Sequence, residues 1–199
     1  MAISADQVKA LRDATGAGMM DSKRALEATN GDLEKAKDWL RQKGMAKAGA
    51  KATRAAREGI IATYVHHNHQ LGVLLELNSE TDFVARNDEF RHLAHEIAVH
   101  VAAAEPKYLR REDVPSDVLD RERAIFEGQA KDQKKPEAVI EKIIQGKMND
   151  FYKREVLLDQ AWAKDDKRTV DQMLKEAIGK LGENITISRF ARFKVGEVN

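Results

Sequence analysis

Cysteine is absent from the 199 residues of this chain. Its absence excludes disulfide bonds, thiolate metal sites and cysteine nucleophiles. The chain also lacks an apolar run of the roughly 20 residues that a helix needs to cross a bilayer. Its first residues lack the basic and apolar regions of a secretory signal. We therefore expect a cytoplasmic protein without membrane association.

An excess of either charge is missing as well. Lys and Arg number 34 and Asp and Glu 33, which leaves a formal net charge of +1. Proteins that bind nucleic acid mainly through phosphate contacts usually carry a basic excess, so any such surface would have to be local. Proline is rare, at 3 residues, while 34% of the chain is charged and 42% hydrophobic. This composition predicts an ordered, helix-rich chain.

Residues 1–44 show the pattern of a small three-helix domain. The signals, in chain order, are a capping box at Ser4 and Gln7, a break at Thr15-Gly16-Ala17-Gly18, a second helix from Met19, and a cap at Asp32. We expect the third helix to end at Gly44, with Leu33, Ala36 and Leu40 facing inward. A unit of this size is marginally stable alone, so we expect it to pack against another part of the chain.

Residues 45–58 form an Ala-rich basic segment that we predict to be a linker. Its cations are Lys47, Lys51, Arg54 and Arg57. One interpretation is a solvated helical connector, and the other is a basic arm that touches RNA or an acidic partner. Gly59 marks the boundary to the next domain.

Residues 59–199 predict a larger α+β domain. Its elements, in chain order, are a β-hairpin formed by 60–66 and 71–78, a helix that is capped by Asn87 or Asp88 and ends at Pro106, a helical hairpin at 117–156 that turns at Lys134-Lys135-Pro136, a helix opened by a capping box at Thr169 and Gln172, and a last strand at 185–195. The fold prediction is therefore α+β: a three-helix domain, a helical linker, and a core with a small antiparallel sheet, packed helices and the helical hairpin.

No motif in the chain predicts covalent chemistry. His95 and His100 are five positions apart, whereas a zinc-protease helix needs histidines four apart to place both rings on one face. The histidines at 66, 67 and 69 lie on a predicted turn and are better explained as solvated than as metal ligands. Gly16-Ala17-Gly18 is too short for a phosphate-binding loop. We expect neither an enzyme nor a bound metal or cofactor.

The segment from Ser79 to Asn87 lies between a predicted strand and a predicted helix, yet it contains Phe83 and Val84. One interpretation is that Phe83 turns inward as a core plug while Asp82 caps a turn. The other is that Phe83 protrudes beside the Asp82 carboxylate to enter the cleft of another protein, since aromatic side chains are common interface anchors.

Three stretches resemble one family. Leu11 to Leu26, with Thr15-Gly16-Ala17-Gly18-Met19-Met20 at its centre, is similar to the amino-terminal signature of the elongation factor Ts family. Thr81-Asp82-Phe83-Val84-Ala85-Arg86-Asn87 resembles the second signature of that family, and Arg192 to Glu197 resembles its last strand. The likeness spans nearly the whole chain. Ser22 departs from the pattern, because many members carry Cys there.

The resemblance implies a guanine nucleotide exchange factor whose partner is the GTPase elongation factor Tu. In the family an Asp-Phe pair enters the GTPase near its magnesium site, which here implies Asp82 and Phe83, flanked by Thr81 and Val84. The amino-terminal domain, similar to a ubiquitin-associated domain, would bind the GTPase separately. The residues implied there are Arg12, Gly16, Gly18, Met19 and Met20.

The chain resembles the short form of the family, with one small sheet after Gly59. A single sheet leaves an exposed edge or face, which predicts a homodimer. The main alternative is an RNA- or ribosome-binding protein that uses the basic segment and the helical hairpin. A ubiquitin-like binding adaptor is a third possibility, but it leaves the segment from Thr81 to Asn87 unexplained.

Overall fold

The computed structural model describes residues 3–131 and 136–197. Its α-helices are α1 Ala5–Thr15, α2 Met19–Ala28, α3 Leu33–Lys51, α4 Asp82–Ala85, α5 Asp88–Ala104, α6 Ser116–Lys131, α7 Glu137–Glu155 and α8 Val170–Leu181. Its strands are β1 Glu58–Val65, β2 Leu71–Ser79, β3 Ala161–Trp162, β4 Asp165–Thr169 and β5 Thr186–Lys194. Lys134 and Lys135 of the predicted turn between α6 and α7 lie outside the described residues.

The described elements confirm the α+β class. Strands β1, β2 and β5 form a three-stranded antiparallel sheet in the order β1-β2-β5. Strands β3 and β4 form a second, two-stranded antiparallel sheet that the sequence analysis did not predict. Strand β3 has only two residues, too few to show an alternating pattern.

Residue contacts divide the described chain into two compact units. The first comprises the residues up to Ile60, Leu77–Arg91 and Gln172–Thr186, and the second comprises Ile61–Glu76, His92–Asp171 and the residues from Ile187 onward. The first unit thus contains the amino-terminal helices and the segment around Phe83. The second contains the helical hairpin. The predicted boundaries at 1–44, 45–58 and 59–199 stay a prediction.

The amino-terminal helices of the first unit begin where their caps predict. The Ser4 hydroxyl accepts a hydrogen bond from the Gln7 backbone N–H at 3.2 Å, and the Ser4 N–H donates to Gln7 Oε1 at 3.0 Å. The buried residues that join the three helices are Val8, Leu11, Ala25, Leu26 and Ala36. Leu33 is 40% exposed, so its predicted inward position is wrong. It occupies the first position of α3, where a side chain leans beyond the end of the helix.

The prediction that helix α3 ends at Gly44 is wrong, because α3 continues to Lys51. Gly44 lies inside the helix, where α8 approaches it. A Cβ atom on Gly179 of α8 would lie 2.9 Å from the Gly44 Cα atom, so the missing side chain of Gly179 allows the backbones of α3 and α8 to approach closely. The first half of the predicted linker is therefore part of a packed helix, in which Ala48 is only 2% exposed.

The second unit contains the predicted helical hairpin, formed by α6 and α7. Arg123 Nη2 of α6 lies 3.0 Å from Glu141 Oε1 of α7, and Phe151 is buried with Val114 and Val156 at the base of the hairpin. Helix α5 ends at Ala104, two residues before Pro106, as predicted. It carries the buried His100 toward the small β3–β4 sheet, where the imidazole stacks on Trp162 at 5.1 Å.

Candidate functional site

A single helical turn presents the predicted site residues. Strand β2 ends at Ser79, and α4 covers only Asp82–Ala85. Thr81 caps α4, because its hydroxyl accepts a hydrogen bond from the Val84 N–H at 3.4 Å. Asn87 Oδ1 then accepts from the Glu89 N–H at 2.8 Å, as expected for a cap of α5. Residues 80–87, which include both caps and the four residues of α4, therefore separate the strand from the next helix.

The turn divides its side chains into an exposed pair and a buried pair. Phe83 is 80% exposed, whereas Val84 and Ala85 are 6% and 5% exposed. Consecutive helical residues point about 100° apart, so the two buried side chains force Asp82 and Phe83 outward. The interpretation of Phe83 as a core plug is wrong, because the inward direction is occupied by Val84. Leaving a phenylalanine in water forgoes about 1.5–3 kcal/mol of burial.

Asp82 has one ionic neighbour on its own turn. Its Oδ2 atom lies 2.9 Å from Arg86 Nη2, and both side chains are more than half exposed. An exposed ion pair one helical turn apart contributes little free energy. The Asp82 carboxylate can therefore leave Arg86 and bind another group at a small cost in free energy.

Three residues distant in sequence hold the turn in place. Glu183 accepts hydrogen bonds from the Thr81 N–H at 3.0 Å and from the Thr81 hydroxyl at 2.6 Å. Glu80 Oε1 accepts from the Asn184 N–H at 2.7 Å, and the buried Asn184 side chain donates to the Arg54 carbonyl at 2.7 Å. Sequence reasoning missed Glu183 and Asn184, because residues after a helix carry no signal for so distant a contact.

The residues implied for the amino-terminal domain cluster around the connection between α1 and α2. Met19 and Met20 are 51% and 59% exposed. Gly16 adopts a left-handed φ of 66°, and Gly18 is the N-cap of α2. Arg12 is exposed beside Asp13, at 3.5 Å. Gly16 and Gly18 thus lie in this exposed connection, Arg12 lies in the last turn of α1, and Met19 and Met20 begin α2.

Comparison with known sequences identifies the family of this chain. Residues 44–197 match the sequence model of the family described as Elongation factor TS. The chain belongs to the elongation factor Ts family. It is 57% identical over 195 residues to Elongation factor Ts of Thermosipho melanesiensis, which covers 98% of this chain and 100% of that relative.

Other members of the elongation factor Ts family are similar over the same length. The protein of that name from Fervidobacterium nodosum is 55% identical over 197 residues, 99% of this chain and 100% of the relative. The one from Thermotoga neapolitana is 53% identical over 197 residues, 99% of both chains. Family membership implies a translation elongation factor that acts in nucleotide exchange and not in covalent catalysis.

The basic segment of this family member is largely engaged within the first unit. Lys47 Nζ lies 2.7 Å from Asp21 Oδ2, and this hydrogen bond is the main reason that the pKa of Asp21 is lowered. Lys51 donates to the Gly182 carbonyl, and its pKa is lowered mainly by burial. Arg54 lies 3.5 Å from Glu80. Lys47 thus joins α3 to α2, Lys51 joins α3 to the residue after α8, and Arg54 contacts the segment before the turn.

The histidines that were weighed as metal ligands have different environments. His95 is exposed, whereas His100 is 1% exposed and donates from Nε2 to Gln160 Oε1 at 3.0 Å. Within residues 3–131 and 136–197, no group of three or more His, Asp or Glu side chains could hold a metal ion. In the same described part of the chain, no helix combines the length and hydropathy needed to cross a membrane.

Proposed function

We propose that this chain is a guanine nucleotide exchange factor that binds elongation factor Tu in its GDP-bound form and promotes GDP release in the cytoplasm. The observation that carries the proposal is Phe83, which is 80% exposed on a turn held by buried neighbours. An aromatic side chain presented in this way is ready to enter a cleft of another protein without reorganisation.

The physical requirement on an exchange factor is differential affinity. It must bind the nucleotide-free GTPase more tightly than the GDP-bound one, and by linkage GDP weakens its binding by the same ratio. A ratio of about 10⁴ corresponds to about 5.5 kcal/mol. Burial of Phe83 supplies about 1.5–3 kcal/mol, so a wider contact must supply the rest. The exposed Met19 and Met20 of the first unit are our candidates for that contact.

Asp82 and Phe83 have complementary tasks in this proposal. GDP is held through phosphate contacts and a magnesium ion that bridges phosphate oxygens to the protein. Phe83 wedges apart the packed elements that form this pocket. The neighbouring Asp82 carboxylate, released from Arg86, disturbs the magnesium environment. The cap at Thr81 and the buried Val84 hold the helical turn that presents both side chains.

The direct test is stopped-flow release of fluorescent GDP from elongation factor Tu. We expect Phe83→Ala to reduce the stimulated rate at least tenfold, because the lost burial of about 1.5–3 kcal/mol acts only on the bound state. Ile125→Ala removes a 45% exposed apolar side chain from α6 and serves as the matched control. Stimulation by Phe83→Ala equal to that of the wild type would exclude the wedge.

Asp82→Ala separates the metal role from the wedge. We expect its defect to grow as free magnesium rises into the millimolar range, because the carboxylate then has more bound metal to oppose. A defect of the same size with and without magnesium would remove Asp82 from that role, while leaving the wedge untouched.

We also propose that the chain forms a homodimer through the exposed face of the three-stranded sheet. In the second unit, Val73 and Leu75 of β2 are buried, whereas Leu74 between them is 48% exposed on the opposite face. The other exposed apolar residues of these strands and the adjoining turn are Ile61, Val65, Phe193 and Val195. Of these, Val65, Phe193 and Val195 line one surface depression. Exposed apolar side chains grouped in this way mark an interaction site, and a second copy offers the same surface.

Light scattering tests the dimer at tens of micromolar protein. We expect twice the monomer mass for the wild type and the monomer mass for Phe193→Glu, because a carboxylate buried in an apolar interface lacks a partner. Ser188→Glu, at another exposed position of β5, should leave the mass unchanged. A monomeric wild type would end this part of the proposal.

The alternative function, RNA or ribosome binding through the basic segment, makes a different prediction. It requires RNA affinity that falls steeply with salt. Lys47 and Arg54 contact the carboxylates of Asp21 and Glu80 inside the first unit, which neutralises part of the charge that the segment can offer to phosphate. Lys51 is hydrogen-bonded to the Gly182 carbonyl. We therefore favour nucleotide exchange.

A further inference from the structure

We propose that Glu183 is the positioning residue of the exchange site, acting on Phe83 through Thr81. The inference rests on the proposed exchange function and extends it to a residue outside both signatures. Glu183 follows α8, about a hundred positions away from the turn that it binds. Its carboxylate receives both polar hydrogens that Thr81 has to offer, one from the backbone and one from the hydroxyl.

The Thr81 hydroxyl links Glu183 to the turn. A hydroxyl has one proton to donate and lone pairs that accept. Because the proton points to Glu183 Oε1 at 2.6 Å, a lone pair faces the Val84 N–H at 3.4 Å. Hydrogen bonds to a charged acceptor are stronger than neutral ones, so the carboxylate fixes the rotamer in which Thr81 caps α4.

This capping decides where Phe83 points. A helix of four residues is far below the length that is stable by itself in water, so α4 depends on its cap and on the buried Val84. Phe83, at 80% exposed, makes too little contact to hold its own direction. When Glu183 no longer orients Thr81, the turn can leave its helical conformation, and binding must then restore that order.

The C-terminal cap of α8 places Glu183 beside Thr81. Gly182 has a φ of +83°, which suits glycine, and its N–H donates to the Ile178 carbonyl at 3.0 Å as a helix C-cap. The chain leaves this cap with two adjacent contacts to the 80–81 segment. Glu183 accepts from the Thr81 N–H, and the Asn184 N–H donates to Glu80 at 2.7 Å. The two carboxylates thus make reciprocal bonds across one junction.

The reciprocal arrangement supplies a matched control. Glu183→Gln and Glu80→Gln each remove one carboxylate from the same junction, but only Glu183 touches the Thr81 hydroxyl. We would measure the maximal rate of GDP release from elongation factor Tu and the concentration of this chain that gives half of it. Thermal unfolding of each variant would report the structural cost separately.

For Glu183→Gln we expect the half-saturating concentration to rise about tenfold, which is about 1.4 kcal/mol of affinity, with the maximal rate unchanged. The turn re-forms once bound, so the defect lies in affinity and not in the maximal rate. Thr81→Val should reproduce this defect. Glu80→Gln should stay within about twofold of the wild type, because it leaves the Thr81 hydroxyl bonded.

A double-mutant cycle identifies the path of the effect. In the Phe83→Ala background, Glu183→Gln should weaken binding to nucleotide-free elongation factor Tu by less than twofold, since the side chain that it positions is gone. Equal effects of Glu183→Gln and Glu80→Gln, or an undiminished effect in the Phe83→Ala background, would overturn the positioning role. Failure of the exchange function would be distinct: the wild type itself would not accelerate GDP release.

Discussion

The close approach of α3 and α8 predicts opposite effects for two similar substitutions. A Cβ atom on Gly179 would lie 2.9 Å from the Gly44 Cα atom and 3.5 Å from the Gly44 carbonyl carbon and oxygen. A Cβ atom on Gly44 meets no atom within 4 Å. Backbone atoms cannot move aside as the end of a flexible side chain can. Gly179→Ala must therefore push the helices apart, whereas Gly44→Ala need not.

The sizes of the two effects follow from opposing contributions. Replacing glycine by alanine inside a helix stabilises it by about 1 kcal/mol, and Gly44→Ala should gain most of this. Overpacking a close contact costs about 1–3 kcal/mol, so Gly179→Ala should lose about 1 kcal/mol after the helical gain is subtracted. For a chain of this size, each kcal/mol shifts the unfolding midpoint by about 2–4 °C.

Thermal unfolding followed by circular dichroism measures both variants. Gly146→Ala is a suitable control, because Gly146 lies inside α7 and its Cβ position is also open. We expect Gly44→Ala and Gly146→Ala to raise the midpoint and Gly179→Ala to lower it. An increase for Gly179→Ala as large as that for Gly44→Ala would refute the reasoning from close backbone approach.

Two further predictions concern buried polar groups. Ser22 is fully buried, and its hydroxyl has no hydrogen-bond partner among the described residues. Ser22→Ala should therefore stabilise the chain by about 1 kcal/mol, measured by urea unfolding. Ser188→Ala, at an exposed position, should change the stability little. Burial lowers the pKa of His100, so below a pH of about 6.5 the unfolded chain binds more protons than the folded chain. The free energy of unfolding should therefore decrease as the pH falls through this value, by at most about 1.4 kcal/mol per pH unit. His100→Gln should flatten this pH dependence, whereas His92→Gln, at an exposed position of α5, should retain it.

The elements with strong local signals were predicted well. The capping box at Ser4 and Gln7 and the cap at Asp32 place the starts of α1 and α3 correctly, since a cap is a contact between residues three positions apart. The predicted β-hairpin and helical hairpin are also confirmed. Their apolar periodicities are properties of neighbouring residues and need no knowledge of the remaining fold.

Gly44 misled the prediction of where α3 ends. Gly44 reads as a helix end, because glycine is the common residue after a helix. In the structure it lies inside α3, at the approach of Gly179. Glycine inside a helix costs about 1 kcal/mol relative to alanine, which tertiary packing can offset, so the local pattern does not separate a helix end from a helix interior.

At the candidate site, too, the sequence predicted the segment, and only the tertiary structure decided the direction of its side chains. The residues from Thr81 to Asn87 stand out in the sequence by their composition and their family resemblance. That pattern left the direction of Phe83 open between the core and the solvent. The structure decides it, because Val84 and Ala85 occupy the inward positions of α4.

The sequence by itself determined the family, the helix caps, the hairpins and the position of the aromatic–acidic pair, since each depends on residues close together along the chain. Only the tertiary structure decided that Phe83 is exposed and that Glu183 binds the residue that caps its turn. The physical reason is that a hydrogen bond between residues about a hundred positions apart leaves no periodic trace in either segment. It exists only once the chain has brought the end of α8 beside the end of β2.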